Sequence, residues 1–131
     1  MTDRLARTEN RRRHLELLLP WPRFAERFWY PIPGRGDLGC FGSGFNHWGV
    51  QTNQKYLAAM AVLAMDDAAD ERAAGMSREQ MLDRALSALR YELATHASGL
   101  LRRTDNSQWG HTWISGLGIE RMMHAVDALD G

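Results

Sequence analysis

The sequence predicts an all-α fold built from antiparallel helical hairpins. Apolar residues recur with helical spacing in several segments, and no segment convincingly shows the alternation of apolar and polar residues that marks a half-buried strand. Proline, glycine or clustered polar residues separate the helical segments, and helices joined by short links pair as antiparallel neighbours. We therefore expect four or five helices in a single helical domain spanning residues 1–131.

The first helix is predicted over residues 3–19, where leucines form a partial apolar stripe and arginines face water. Pro20 and Pro22 end it, because proline removes a backbone donor and clashes with the preceding turn. Residues 23–30 are predicted as one more short helical stretch. Its aromatic residues either pack against the following loop or form a platform that stacks on the C–H faces of sugars. These residues are Phe24, Phe28, Trp29 and Tyr30.

The chain is organised around residues 34–55, which open as a glycine-rich loop over residues 34–44. Its five glycines allow tight turns and a close approach to a ligand, and loops on a rigid scaffold often carry function. An Asn-His-Trp triplet follows at residues 46–48. The next helix, residues 53–65, is apolar on nearly every side, so we expect it to be buried between other helices. Asn53 and Gln54 at its start are interpreted as capping residues.

The sequence pattern in the middle of the chain predicts a connecting segment followed by a helix with a capping box. Residues 66–75 are rich in acidic side chains and end in glycine, which indicates a solvated connection. Ser77 and Gln80 have the spacing of a capping box, so a helix is expected to follow to about residue 95. Its predicted core stripe consists of Leu82, Leu86, Leu89 and Leu93.

The last predicted helix lies within residues 109–129, after a polar loop over residues 96–108. A His-Thr-Trp triplet at residues 111–113 stands just before its apolar part, as the triplet at residues 46–48 does before the earlier helix. Two loop–helix units of this kind suit a helical toroid, in which inner helices present their starting loops to one end. The core face of the last helix is predicted to contain Ile119, Met122, Met123, Val126 and Leu129.

Composition narrows the classes of partner. Sixteen basic residues balance sixteen acidic ones, so no net field favours nucleic acid or an anionic membrane. Cys40 is the single cysteine, which excludes an internal disulfide and fits a reducing compartment. The start of the sequence lacks the layout of a signal peptide, and no apolar run approaches the roughly 18 residues of a membrane span. We expect a cytoplasmic protein with neither nucleic-acid nor membrane partners.

A metal site would need His47, His111 and a third ligand from Cys40, Asp37 or His124. Zinc accepts such nitrogen, sulfur and oxygen ligands, but no pair here has the close spacing of His-x-x-x-His. A nucleophilic Cys40 would need a neighbouring base and a lowered pKa, and nothing in the adjacent sequence indicates either. We therefore expect no metal and no cofactor.

Residues 44–54 and the alanine-rich helix after them resemble the Asn-His segment of (α/α)-toroid polysaccharide lyases. These are the alginate-lyase-like and heparinase II/III-like enzymes. Residues 108–122 fit a later inner helix of the same barrel, and the resemblance covers roughly residues 40–126. It implies inner and outer helices around a sugar cleft, of which this chain supplies the N-terminal portion. We expect an incomplete toroid, completed by a homo-oligomer or by the remainder of a longer chain.

The resemblance also implies roles for individual residues. Asn46 would neutralise the carboxylate of a uronate, which makes the adjacent C–H acidic enough to lose its proton. His47 would be the base or a partner of that carboxylate, a role that suits its near-neutral intrinsic pKa. Tyr30 is the candidate acid for the departing oxygen. The expected substrate-binding residues are Trp48, Gln51, Trp109, His111 and Trp113.

Two functions from different classes remain open at this point. The first is a lyase that cleaves uronate-containing oligo- or polysaccharide by β-elimination. Hydrolysis usually needs paired carboxylates, and Asp37 is the only acid in the glycine-rich loop, so lysis fits better. The second is a non-catalytic helical module that binds sugar or associates with itself.

Overall fold

The computed structural model describes residues 2–42, 47–103, 106–110 and 113–130, with side chains over 8–42, 52–103, 106–110 and 119–130. Helices dominate these ranges, which confirms the predicted helical class, and one small sheet accompanies them. The elements are α1 (Thr2–Leu18), α2 (Trp21–Glu26), β1 (Trp29–Pro31), β2 (Gly39–Phe41), α3 (His47–Ala64), α4 (Glu71–Ala74), α5 (Arg78–Thr95) and α6 (Trp113–Asp130). None of the described helices is both long and apolar enough to cross a membrane.

Strands β1 and β2 form an antiparallel pair, so the prediction that the chain has no strand is wrong here. The helix predicted over residues 23–30 ends at Glu26, and the aromatic residues after it extend into β1. The rings of Trp29 and Phe41 pack with centroids 4.8 Å apart. A Cβ at Gly39 would lie 2.1 Å from the Trp29 ring, so glycine is required for this close approach.

The acidic connection predicted over residues 66–75 contains the short helix α4. The Asp70 side chain caps it by accepting from the backbone N–H groups of Arg72 at 2.9 Å and Ala73 at 3.1 Å. Gly75 ends it in the left-handed conformation at φ 68°, the usual helix stop. Both signals are present in the sequence, but the segment between them is too short and polar to show a helical pattern.

Gly75→Ala is expected to lower the free energy of unfolding by about 1–2 kcal/mol, because a left-handed conformation is costly for a residue with a Cβ. The new Cβ would also lie 2.6 Å from Nε of Arg23, which would have to move. Gly36→Ala is the matched control, since a Cβ at Gly36 meets nothing within 4 Å. Urea unfolding measures both variants. Equal free energies of unfolding for the two would contradict this role of Gly75.

Helix α5 confirms the predicted capping box. Gln80 N–H donates to Oγ of Ser77 at 3.1 Å, and Ser77 N–H donates to Oε1 of Gln80 at 3.1 Å. The predicted leucine stripe is not the buried face: Leu93 is 57% exposed, and the other three leucines are only partly buried. Ala85 and Ala88 are fully buried instead, because small side chains allow the alanine-rich α3 to approach closely.

Helices α3 and α5 are antiparallel. Near the start of α3, the side chain of Asn53 donates to Glu92 near the end of α5. At the other end, Nε of Arg78 donates to the carbonyl of Ala64 at 3.0 Å. These two contacts fix the direction of the pair and confirm the predicted antiparallel hairpin.

Helix α6 runs antiparallel to α5 and hence parallel to α3. Just before α6, Trp109 donates to a carbonyl near the end of α5. Further along α6, Met122 packs with Trp109 and Leu89. From there α6 packs along α3. The first turns of α3 and α6 therefore lie at the same end of the bundle.

The predicted core face of α6 is correct only in part. Met122 is buried and Leu129 packs against the core. Ile119 and Met123 are 39% and 50% exposed, and Ala125 is fully buried instead. The inward face is therefore rotated away from the bulkier residues, as it is in α5.

Candidate functional site

A short connection joins the sheet to α3. Strand β2 ends at Phe41, and α3 begins at His47, earlier than the residue 53 predicted from the apolar pattern. The backbone N–H of Gly42 donates to the carbonyl of Phe28 at 2.9 Å. The backbone N–H of Phe41 donates to Oδ1 of Asn53 at 2.7 Å. The point where the chain leaves the sheet is thus fixed to α3 itself.

The second loop–helix unit opens at the same end. The backbone N–H of Trp109 donates to the carbonyl of Thr95 at 3.2 Å, and that of Ala97 donates to Trp109 at 2.7 Å. This holds the chain against the end of α5 before α6 begins at Trp113. The two helices that begin within the His-containing triplets therefore start at the same end of the bundle.

Most of the site residues predicted from sequence lie where the structure describes no side chain. Asn46 and His111 lie outside the described residues altogether. The others occupy backbone positions in the first turns of α3 and α6, so the structure assigns their helix and position only. These residues are His47, Trp48, Gln51 and Trp113.

Tyr30 and Trp109 are described in full. Tyr30 stands opposite Cys40 in the sheet and is 39% exposed, so it faces solvent beside the strand that leads towards α3. Trp109 is 2% exposed, and its Nε1 donates to the carbonyl of Glu92 at 2.7 Å. The rings of Trp109 and His96 also meet at an angle of 80°, with centroids 4.8 Å apart. Trp109 is therefore a core residue, and its face is not available to stack on a sugar.

A buried polar cluster lies beneath this end of the bundle. Asn53 and Glu92 are both fully buried, and Nδ2 of Asn53 donates to Oε1 of Glu92 at 2.5 Å. The same amide nitrogen lies 3.5 Å from the carbonyl of Ala88. Since Asn53 also accepts from Phe41, one side chain joins β2, α3 and α5. The interpretation of Asn53 as a helix cap is wrong, because α3 begins at His47 and continues past this position.

Glu92 and Cys40 are held in their neutral forms. Burial raises the pKa of the Glu92 carboxyl to about 8, although the hydrogen bond from Asn53 and the charge of Arg103 act in the opposite direction. Burial also raises the pKa of the Cys40 thiol to about 12, the charge of Glu92 adds to this, and a hydrogen bond with Tyr91 opposes it. Such a thiol is a poor nucleophile, so Cys40 packs rather than reacts.

Gln54 is the second buried amide of α3. It is fully buried, and neither its Oε1 nor its Nε2 has a hydrogen-bond partner in the part of the chain that the structure describes. Its interpretation as a cap is also wrong, since it lies two turns after His47. The signal available in the sequence was a pair of amides interrupting an apolar helix, because buried amides need a partner.

Comparison of the chain with protein-family models, curated proteins and solved structures finds no match. Within the described ranges, no three His, Cys, Asp or Glu side chains group closely enough to hold a metal ion. His47 and His111 of the considered metal site lie outside the ranges with described side chains. We therefore infer the function from the chemistry and placement of the chain's own residues.

Proposed function

We propose that the chain supplies inner helices of an (α/α)-toroid lyase that cleaves uronate-containing saccharide by β-elimination. The observation that carries the proposal is the parallel arrangement of α3 and α6, which start at one end of the bundle. Each begins within a triplet that contains a His and a Trp, at residues 46–48 and 111–113. A toroid cleft needs this arrangement, since residues from several loop–helix units must meet at one end.

The chemistry requires three functions. Asn46 donates a hydrogen bond to the uronate carboxylate, and the start of the long helix α3 favours the same negative charge. His47 removes the proton from C5, and the electron pair of that C–H bond forms the double bond between C4 and C5. The C4–O4 bond breaks, and Tyr30 gives a proton to the departing oxygen. No water is consumed, so the product carries an unsaturated uronate at its new end.

The buried cluster supports this proposal because it fixes the positions of β2, α3 and α5 relative to one another. Asn53 holds the end of β2 against α3 through Phe41, immediately before the segment that carries Asn46. Glu92 holds Asn53 from α5. Catalytic side chains must be held in accurate positions, because a small displacement from the reactive geometry lowers the reaction rate by a large factor.

A non-catalytic module remains the second candidate, and one observation favours it. Ile119 and Met123 are one turn apart on α6, and both are exposed. Exposed apolar side chains grouped on a surface favour association with a second copy or with further chain. In this case the same aromatic and polar residues bind a sugar without cleaving it.

His47→Ala is expected to lower the rate of lysis by roughly 100- to 10,000-fold, the usual contribution of a positioned general base. The readout is the ultraviolet absorbance of the conjugated double bond, measured with a panel of uronate oligo- and polysaccharides. His14→Ala is the matched control, because His14 is exposed on α1. Unchanged lysis by His47→Ala would refute the catalytic role. No lysis of any uronate by the folded wild type would favour the binding module.

A further inference from the structure

Two neighbouring hollows on the surface share one residue, Trp21. The first has a volume of about 350 Å³ and is lined by Pro20, Trp21, Phe24 and Tyr56. Its aromatic rings are partly open to solvent, with Phe24 50% and Trp21 37% exposed. The ring edge of Trp21 meets Tyr56 with centroids 5.8 Å apart, so the rings hold one another in place.

The second hollow, of about 200 Å³, lies between α3 and α6. Small or branched side chains of α3 line it, together with two basic residues, Lys55 and Arg121, and with His124. No acidic residue lines either hollow in the described part of the chain. Glu120 and Asp127 are exposed on α6 but do not line the hollow. We call the two hollows together the aromatic–basic groove.

The groove combines two recognition chemistries. Flat aromatic faces match the C–H faces of sugar rings, and the rings of Trp21 and Phe24 are both partly exposed. Arg27 and Phe28 also contact the Phe24 ring, so Trp21 is the main aromatic surface of the groove. The ammonium group of Lys55 and the guanidinium group of Arg121 can pair with carboxylates through charge-assisted hydrogen bonds. A saccharide that bears carboxylates would use both the aromatic surface and the basic side chains.

We propose that the aromatic–basic groove is an accessory subsite for an acidic saccharide, and its assignment to uronates rests on the proposed function. Lys55 follows His47 by eight residues on α3, roughly 12 Å along the helix. The groove therefore lies beyond the candidate reacting end and binds sugar units of the same polymer that are not cleaved. Binding energy from such remote units supports the reaction by holding the substrate.

A nucleic acid would also offer rings and negative charge, but the observations favour the saccharide. Affinity for a polynucleotide comes mainly from many phosphate contacts, and the chain has no net charge. Basic residues line only one of the two hollows, while the other is aromatic and uncharged. Lys55 and Arg121 are therefore the only Lys or Arg side chains lining the two hollows in the described part of the chain, too few for the many phosphate contacts that a polynucleotide needs.

Lys55 makes the test specific, because it is the only lysine in the sequence. We would acetylate the full chain with an amine-reactive reagent and measure modification of Lys55 by mass spectrometry. Alginate and galacturonate oligosaccharides are expected to slow this acetylation, whereas neutral malto-oligosaccharides of equal length leave it unchanged. The N-terminal amine serves as the internal reference. Absence of protection by every uronate oligosaccharide would overturn the proposal.

Two variants test the groove by calorimetric titration with the same oligosaccharides. Lys55→Gln is expected to weaken binding by about 10-fold, as for the loss of one charge-assisted contact. Arg11→Gln on the exposed face of α1 is the matched control and should leave binding unchanged. Trp21→Leu keeps an apolar side chain but removes the aromatic face, so weaker binding is expected. Equal effects of Lys55→Gln and Arg11→Gln would overturn the proposal.

Further measurements of Lys55 acetylation distinguish an acidic saccharide from a nucleic acid and from a second copy of the chain. Protection of Lys55 by a homopolymeric oligonucleotide at the same concentration would overturn the saccharide assignment. Protection that grows with protein concentration alone would assign the groove to a second copy. His47→Ala should retain full protection. Protection without lysis by the wild type would refute the proposed lyase but keep the subsite, whereas lysis without protection would do the reverse.

Discussion

Glu92→Gln is expected to make this protein more stable at pH 8 and to remove most of the dependence of its stability on pH. Glu92 is fully buried, and burial raises the pKa of its carboxyl from an ordinary 4.5 to about 8. Between these two pH values the folded chain keeps a proton that the unfolded chain has lost. Stability therefore falls as pH rises through this window, because the unfolded state binds fewer protons.

The size of the effect follows from the same pKa values. One pKa unit corresponds to about 1.4 kcal/mol, so the shift of Glu92 costs roughly 5 kcal/mol once both states are ionised above pH 8. Below pH 4.5 both states hold the proton, and the penalty is absent. A glutamine at this position is neutral at every pH and still accepts the hydrogen bond that Asn53 donates.

Urea unfolding of the wild type and Glu92→Gln across pH 4 to 9 measures this difference. Glu79→Gln is the matched control, because Glu79 is exposed on the same helix. The expected result is a slope with pH for the wild type and Glu79→Gln, and a much flatter profile for Glu92→Gln. Parallel profiles for all three proteins would show that Glu92 is ionised in the folded state at neutral pH.

Asn53→Ala is expected to lower the free energy of unfolding by about 2–4 kcal/mol. The substitution leaves the N–H of Phe41 and the carboxyl of Glu92 without the partner that each has in the structure. A buried polar group that loses its partner costs about 1–3 kcal/mol. The loss also separates β2 from α3, so amide exchange at Phe41 should become faster.

Asn10→Ala provides the control for this change, because Asn10 is exposed on α1 and its replacement should alter stability by less than about 0.5 kcal/mol. Chemical denaturation gives the free energies, and hydrogen exchange gives the local effect. If Asn53→Ala were as stable as Asn10→Ala, the buried bridge between the sheet and α5 would not stabilise the fold.

Capping residues and prolines in the sequence correctly predicted where some helices begin or end. The capping box of Ser77 and Gln80 fixed the start of α5, and Pro20 marked the end of α1. The leucine stripe of α5 predicted the wrong buried face, because the neighbouring helix decides which residues of α5 are buried. Where two alanine-rich helices approach closely, alanines occupy the contact and a leucine such as Leu93 is left outside.

Features that join distant segments were not visible in the sequence. The pairing of β1 with β2 depends on Gly39 fitting beside Trp29, a contact between residues on either side of a loop. The roles of Asn53 and Glu92 depend on α3 meeting α5, and no helical pattern specifies that partner. The two His-containing triplets were recognisable, but their arrangement at one end required the directions of α3 and α6.

The mass of the cleavage products tests the central claim most directly. Elimination breaks the glycosidic bond without water, so the summed mass of the products equals that of the uronate oligosaccharide. Hydrolysis adds one water for each bond cleaved. We expect the wild type to yield products without added water and His47→Ala to leave the substrate intact. Products that gain water, or elimination products formed equally well by His47→Ala, would contradict the proposed mechanism.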